Sequence, residues 1–343
     1  MCYPLISIIE KKKKIEATKS DIVKSYKKYC KYWQGSSDNL KMIVPLHNLV
    51  CSFDKYKFDK AISIETMTDE YKTKIYRLTS GSVFDEAPTQ WDIYKCSHIL
   101  TWAFYSPKKR VSYNWEETAG RMLTALRLFR TGDVGSKYKI TENIGPKTSF
   151  SGFQGSPLSG FWWVPAEGKK YQINKSELPS VHKIYNDLNK LDQIGKLPKL
   201  NVALRRFNQS YSRKLPEDKI IDLTIALESI LLFSETDELQ NKLATRGARI
   251  LQKKTDPLKT RDTLKLLYTL RSSIVHEGQT LTSPSKSIKK KINKFDSTLH
   301  PPKMADVCEN IVRAVIMEYV TRLQKNNSIQ EINQQIDDEM ILS

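Results

Sequence analysis

The chain has 343 residues, of which 39% are hydrophobic and 27% charged, a composition that can bury a core and excludes a wholly disordered protein. It has no run of 18 apolar residues, so we expect no transmembrane helix and no membrane partner. Its five cysteines are scattered without a Cys-x-x-Cys pair, which argues against a disulfide scaffold or a zinc ribbon and favours a reducing cytoplasm.

The formal net charge of +18 is concentrated in the first two thirds of the chain. Up to Pro216 there are 37 basic and 20 acidic residues, a difference of +17, whereas the rest has 19 and 18, a difference of +1. The densest run is Lys11–Lys31, and because its lysines follow the mildly apolar Met1–Glu10, the order is the reverse of a secretory signal. The charge favours a polyanion such as nucleic acid as partner, although lysines that only keep the protein in solution are an equally good interpretation.

Residues 1–115 are predicted to form a basic α+β domain. Short β-prone runs bounded by turn residues occur at Ile43–Leu46 and Leu49–Phe53, and a stronger strand is predicted at Ile99–Tyr105. A short helix is predicted over Thr66–Tyr76. The N-terminal part is therefore mixed in structure, whereas the chain as a whole is expected to be mostly α.

Residues 116–178 are predicted to connect this domain to a second one. A helix with apolar residues at helical spacing begins at Glu116 and ends at Gly132. A loop rich in Gly and Ser, Gly145–Gly160, precedes a short strand at Phe161–Val164. The loop lacks Gly-Lys-Ser/Thr, so it is not a phosphate loop of the NTPase kind.

Residues 179–325 are predicted to form an all-α bundle, followed by a polar tail, 326–343, that frays. Prolines, an aspartate N-cap and glycine stops mark the helix ends. The predicted helices are Val181–Ile194, Leu200–Tyr211, Ile220–Phe233, Leu239–Leu251, Asp256–His276 and one that opens at Pro301. Between the last two, Ser283–Phe295 is predicted to be a polar, lysine-rich loop.

One group of residues in the predicted bundle is a candidate catalytic site. Arg271 and His276 stand five residues apart near the end of the helix that begins at Asp256, and Gly278 follows them. The spacing alone is weak evidence, because a histidine at a helix end can simply interact with the negative end of the helix dipole. Further residues of interest precede the motif in the same part of the chain, namely Ala226-Leu227-Glu228, Arg246 and Tyr268.

This combination, dense from Pro216 to Gly278, resembles the HEPN superfamily and within it the Apea-like HEPN domains. The resemblance implies a bundle of four to five helices, which in many members is a metal-independent endoribonuclease. It also implies catalytic roles for Arg271, for His276 and for the polar residue after the arginine, here Ser272.

An arginine and a histidine suit the cleavage of RNA by its own 2′-hydroxyl. That reaction needs a base for the 2′-proton, an acid for the leaving 5′-oxygen and positive charge on the pentavalent phosphate. A histidine can serve as base or acid near neutral pH, and an arginine offers a fork of donors to phosphate oxygens. The expected products carry a 2′,3′-cyclic phosphate and a 5′-hydroxyl.

Helix geometry predicts that two chains are needed for this reaction. Five residues at about 100° each place Arg271 and His276 about 140° apart around the helix axis, so they do not share one face. Two molecules meeting at this helix would offer two of each residue to one groove, which is how HEPN dimers are understood to build their site. We therefore expect a homodimer through the bundle.

Other residues around the motif are predicted to bind RNA or to support the site. Arg246 and Arg249 lie on the preceding helix and could contact RNA, although pairing of Arg246 with Glu228 is slightly favoured. Glu228 and Tyr268 are predicted to give structural support. Five lysines of the following loop could line an RNA groove or be solvated, namely Lys286, Lys289, Lys290, Lys291 and Lys294.

No metal site and no cofactor are predicted. His47 and Cys51 form an i, i+4 pair that could bind a metal ion, but no second pair supports it. The remaining histidines show no shared spacing.

Three functions from different classes are compatible with the sequence. The favoured one is an RNA-cleaving enzyme in prokaryotic antiphage defence or with a toxin-like role, the setting that the resemblance implies. The second is a catalytically degenerate HEPN dimer that binds RNA or a nucleotide without cutting it. The third is a protein-interaction module whose basic region meets an antitoxin or a phage-derived protein.

Overall fold

The structure, a computed structural model, describes residues 18–34, 37–79, 95–107, 115–136, 138–143, 154–157, 168–326 and 328–341. The described residues fall into two compact units. The first draws on Met1–Ala119, Val134–Ser159 and Gln172–Leu178, and the second on Gly120–Asp133, Gly160–Tyr171 and Pro179–Ser343. Residues 116–178, predicted to connect two domains, are thus divided between both units. The predicted strand Phe161–Val164 lies outside the described residues.

The first unit is built on an antiparallel sheet. The described strands are β1 (Ser37–Leu46), β2 (Leu49–Cys51), β3 (Lys55–Lys57), β4 (Ile62–Thr66), β5 (His98–Pro107), β6 (Tyr138–Asn143), β7 (Gln154–Pro157) and β8 (Tyr171–Ile173). Six pair in the order β3-β4-β5-β1-β6-β7, and β2 pairs with β8. The strand predicted at Ile99–Tyr105 is confirmed within β5, which pairs with β1 along its full length. By contrast, β7 lies in the segment predicted to be a loop.

Helices make up most of the described chain, which confirms the mostly α prediction. They are α1 (Lys19–Gln34), α2 (Asp69–Thr79), α3 (Trp115–Phe129), α4 (Leu178–Gln193), α5 (Asn201–Ser210), α6 (Pro216–Leu231), α7 (Leu239–Leu251), α8 (Pro257–Glu277), α9 (Lys286–Phe295), α10 (Met304–Leu323) and α11 (Ile329–Ile341). In the part of the chain that the structure describes, no helix is long and apolar enough to cross a membrane.

The core of the first unit lies on the three central strands of the sheet. Ile43, Ile99 and Ile140 come from β1, β5 and β6, and all three are buried. Ile75 of α2 packs against them. The predicted helix over Thr66–Tyr76 begins later than expected, because pairing with β5 extends β4 through Thr66.

In the second unit, α6 contacts α5, α7, α8 and α10. Pro216 begins this helix, and leucines such as Leu223 and Leu227 are completely buried along it. The neighbouring α8 begins at the predicted N-cap, where the Asp256 carboxylate accepts hydrogen bonds from the Leu258 and Lys259 amides at 2.9 and 3.1 Å. The proline and the aspartate N-cap that the sequence indicated therefore mark the two helix starts.

The segment predicted to be a lysine-rich loop is largely helical, so that prediction is wrong. The Ser285 hydroxyl caps α9 by accepting a hydrogen bond from the Ile288 amide at 3.3 Å. Ile288 and Ile292, four residues apart, are both buried. These two side chains give the helix one apolar face and anchor it.

The polar tail after residue 325 does not simply fray, because it contains α11. Ile329, Ile332 and Ile336 are buried on one face of this helix. The helix packs against α7 and α10. The i, i+3, i+7 spacing of these three isoleucines is the pattern of an amphipathic helix, which the high polar content of the tail concealed.

A buried group of charged and polar side chains links α5, α6 and α10. Glu309 accepts hydrogen bonds from the Tyr211 hydroxyl at 2.9 Å and from the Lys219 ammonium at 2.6 Å, and it also pairs with Arg313. Arg313 Nε donates to the Arg127 carbonyl at 2.7 Å. Each carboxylate oxygen of Glu309 therefore has a cationic partner inside the unit.

We expect Gly247→Ala to destabilise the second unit by about 1–2 kcal/mol. A Cβ at this position in α7 would clash with Leu264 Cδ1 and lie 3.5 Å from Leu231 Cδ1. Both leucines are fully buried, so overpacking should exceed the gain in helix propensity of about 1 kcal/mol. Urea denaturation followed by circular dichroism would measure the change. The exposed Asn241→Ala on α7 is the matched control, and a variant as stable as that control would contradict the expectation.

Candidate functional site

The predicted motif occupies the last two turns of α8. Gly278 ends the helix in the left-handed region, with φ of 64°, and its amide donates to the Ser273 carbonyl. The Gln279 amide donates to the same carbonyl at 3.3 Å. This closing turn fixes the end of the helix at Glu277, one residue after His276.

Arg271 lies half-buried on the side of α8 that faces α6. Its Nε is 3.9 Å from Glu228 Oε1, and 27% of its side chain is exposed. The same Nε is shielded from solvent and makes no hydrogen bond to any described residue. Burial raises the pKa of the Glu228 carboxyl, and Arg271 offsets this effect only in part. The arginine is thus held near a carboxyl, and its buried Nε is left without a hydrogen-bond acceptor among the described residues.

His276 occupies an exposed position in the final turn of α8, beside Val275, of which 47% is exposed. The two residues before them, Ser273 and Ile274, are buried. Ser272, the third predicted catalytic residue, is half-buried next to Arg271. The imidazole is therefore presented at the protein surface, where a substrate or a second protein chain can reach it.

One chain does not combine the arginine and the histidine on one face. Within α8 they are about 140° apart around the axis and about 7.5 Å apart along it. The structure instead brings Arg271 together with Glu228, across from α8 to α6. A phosphate bound at Arg271 would accordingly need its acid or base from outside this face.

The predicted pairing of Arg246 with Glu228 is wrong. Arg246 is 3% exposed and pairs with Glu235, at 2.7 Å, and with both carboxylate oxygens of Asp337 in α11. Its Nη1 donates to the Leu231 carbonyl at 2.7 Å. All three guanidinium nitrogens are engaged, so the residue holds α6, α7 and α11 together.

Arg249 is also committed mainly to α11. Its Nη2 donates to the Glu339 carbonyl at 2.7 Å, and its Nη1 donates to Gln252 at 3.1 Å. The residue remains partly exposed, so the predicted contact with RNA stays a prediction. The partners of both arginines lie in the tail about ninety residues away, and no local pattern signals such pairs.

The remaining predicted residues lie on α8 and α9. Tyr268 is half-buried, one turn before Arg271. The lysines predicted to contact RNA are all exposed on α9, which packs against α8, namely Lys286, Lys289, Lys290, Lys291 and Lys294. The motif and these cations therefore belong to two helices in direct contact.

His47, considered as a metal pair with Cys51, contacts a different cysteine in the first unit. His47 Nδ1 lies 3.5 Å from Cys96 Sγ, and both side chains are buried. Burial raises the pKa of the Cys51 thiol to about 12, which disfavours the thiolate form. Within the described ranges, no group of three or more His, Cys, Asp or Glu side chains is placed to hold a metal ion.

Comparison with known proteins gives no match to any family model, any curated protein or any solved structure. The arrangement on α8 is therefore the basis for a functional hypothesis. It offers an arginine whose Nε makes no hydrogen bond to a described residue, an exposed imidazole in the same helix and a row of cations on the adjoining helix. These groups suit the binding and acid–base chemistry of a phosphodiester.

Proposed function

We propose that the second unit is a HEPN-type endoribonuclease that cleaves RNA through attack of the 2′-hydroxyl. The observation that carries this proposal is the placement of Arg271. It is half-buried, lies 3.9 Å from its carboxyl neighbour and has an Nε without a hydrogen bond, five residues before an exposed histidine. Arg246, by contrast, uses all three of its guanidinium nitrogens within the fold.

In this mechanism the reacting atoms are those of the RNA itself. His276 takes the proton of the 2′-hydroxyl, and the 2′-oxygen forms a bond to phosphorus. The bond between phosphorus and the 5′-oxygen breaks, and a second histidine supplies the proton to the leaving oxygen. Arg271 donates to the phosphate oxygens, where negative charge increases in the transition state. Ser272 is the polar neighbour of the arginine and adds a hydroxyl at this position.

The second histidine comes from a second copy of the chain. His276 and Val275 are exposed together at the end of α8, so two copies can meet there and place two imidazoles on one groove. Each copy then contributes one arginine and one histidine. A homodimer is therefore part of the proposed enzyme, which would act in the cytoplasm in antiphage defence or as a toxin.

The proposal is tested by incubating the purified chain with total RNA and tRNA in excess EDTA. We expect cleavage that persists in EDTA and leaves 2′,3′-cyclic phosphate and 5′-hydroxyl ends. DNA of matched sequence is the control and should stay intact, because it lacks the 2′-hydroxyl. Cleavage of that DNA, or ends with a 5′-phosphate, would contradict the proposed reaction.

A dimer that binds RNA without cutting it is the second candidate. The exposed lysines of α9 favour this alternative, since they can hold RNA whether or not α8 is catalytic. Retention of RNA by the parent chain, without cleavage in EDTA or in Mg²⁺, would support this second function. Binding to an antitoxin or a phage protein remains the third possibility from the sequence.

A further inference from the structure

Helix α9 carries a cationic surface without any acidic residue. No Asp or Glu occurs between Gly278 and Phe295. Five lysines of the helix are exposed, namely Lys286, Lys289, Lys290, Lys291 and Lys294. The helix therefore presents five positive charges to solvent within about three turns.

These lysines are not neutralised inside the protein. None of the five makes an ion pair or a side-chain hydrogen bond with another described residue. Several stand three or four residues apart, where like charges destabilise a helix by about 0.2–0.5 kcal/mol per pair. A polyanion bound along the helix would remove this repulsion.

The buried face of α9 determines where its lysines point. Ile288 and Ile292 fix the inward direction, and both are at most 1% exposed. At about 100° per residue, Lys286, Lys290 and Lys294 then fall on the opposite, outward ridge. Successive ridge lysines are about 6 Å apart along the axis, a step similar to that between neighbouring phosphates of one nucleic-acid strand. Lys289 and Lys291 flank the ridge.

We propose that the α9 ridge, defined as Lys286, Lys290 and Lys294, binds the phosphate backbone of a single RNA strand independently of its sequence. The choice of RNA as the ligand rests on the proposed function, since α9 packs against the helix that carries Arg271 and His276. The ridge would hold the strand beside the cleavage site. A row of three phosphate contacts implies an oligonucleotide as ligand and not a mononucleotide.

Two other partners are less well matched to this surface. An amphipathic helix binds a membrane by inserting its apolar face, but the apolar face of α9 is buried within the protein. A protein partner would be expected to use exposed aromatic or apolar anchors, and the outward ridge consists of lysines only. Phosphate contacts alone account for a surface of this composition.

The test measures binding of a 20-nucleotide 2′-O-methyl oligouridine by fluorescence anisotropy at several salt concentrations. This probe has no free 2′-hydroxyl, so binding is separated from the proposed cleavage. The ridge variant carries Lys286→Gln, Lys290→Gln and Lys294→Gln. The control variant carries the same loss of charge at exposed lysines elsewhere in the second unit, namely Lys183→Gln, Lys214→Gln and Lys253→Gln.

We expect the ridge variant to bind at least tenfold more weakly at about 0.1 M salt. The slope of log Kd against log salt should fall by about 2, because three phosphate contacts of a single strand contribute about 0.7 each. The control variant should change Kd less than twofold, and oligocytidine should behave like oligouridine. Circular dichroism verifies that both variants fold.

Equal slopes and affinities for the two variants would overturn the ridge proposal, as would absence of binding by the parent chain. Preferential binding of the parent to anionic phospholipid vesicles would also overturn it. The outcome is separable from the proposed function. Ridge-dependent binding without RNA cleavage would support the ridge proposal and contradict the proposed nuclease. Cleavage by the parent, with the same salt slope for the parent and the ridge variant, would support the nuclease and contradict the ridge proposal.

Discussion

Glu309→Ala is expected to destabilise the second unit by about 3–5 kcal/mol, the largest effect on stability that we predict. The Glu309 side chain is 4% exposed and pairs with Lys219 and Arg313, whose side chains are 14% and 9% exposed. Removal of the carboxylate leaves both cations and the Tyr211 hydroxyl in the interior without their acceptor. The cost of such unpaired buried charge exceeds that of a lost surface ion pair.

Urea denaturation at pH 7 would measure this effect, with Asp306→Ala on the same helix as control. Asp306 is half exposed and lies 3.9 and 4.0 Å from its lysine partners, so its removal should cost less than about 1 kcal/mol. Equal free energies of unfolding for the two variants would show that the buried ion pairs of Glu309 stabilise the unit no more than an exposed ion pair does.

The same group predicts a direction of pH dependence. Burial opposes ionisation of Glu309, but Lys219 and Arg313 outweigh it and hold the pKa of the carboxyl below its ordinary value. The contribution of the ionised Glu309 carboxylate to the free energy of unfolding is therefore complete above the pKa of an unfolded glutamate, about 4.3. It is lost as the pH falls through the lower pKa of the folded state. The stability difference between the parent and Glu309→Gln should narrow below about pH 4.

His276→Ala is expected to reduce RNA cleavage by at least about 100-fold without changing stability. General acid–base catalysis typically contributes about 10²–10⁴-fold, and the side chain is exposed, so its removal leaves no cavity. His300→Ala is the matched control, because His300 is an exposed histidine outside the motif. Initial cleavage rates and thermal unfolding of the three proteins would test the prediction. A rate equal to that of the control would exclude His276 from the reaction.

Several helices of the second unit follow from local sequence signals. The predicted bounds Leu239–Leu251 match α7, and the Asp256–Pro257 pair marks the start of α8 as expected. For α8 the capping aspartate and the apolar period indicate the same element. Strand β5 was similarly predictable, because it combines a β-prone run with a closing proline.

The helices α9 and α11 could be predicted only by giving the spacing of their apolar residues more weight than their polar composition. Each has few apolar residues, but most of its isoleucines recur every three or four positions and are buried, namely Ile288 and Ile292 of α9 and Ile329, Ile332 and Ile336 of α11. The many lysines of α9 predicted a loop, and the many polar residues of α11 predicted a frayed tail. Burial of two or three isoleucines was enough to order each segment.

The motif on α8 could be found in the sequence, but its partners could not. Arg271 lies beside Glu228, 43 positions earlier in the chain, whereas Arg246 is bound by Asp337, 91 positions later. Such pairs depend on how the helices pack, and either arginine could have paired with Glu228 on sequence grounds. The packing leaves Arg271, and not Arg246, with an uncommitted donor.

The most direct test of the central claim is the initial rate at which 2′,3′-cyclic phosphate ends form on tRNA in excess EDTA. The parent chain and His276→Ala should be purified and assayed side by side. The proposed mechanism predicts that these ends accumulate with the parent and at least about 100-fold more slowly with the variant. Equal rates for the two proteins would contradict the assignment of α8 as the catalytic helix.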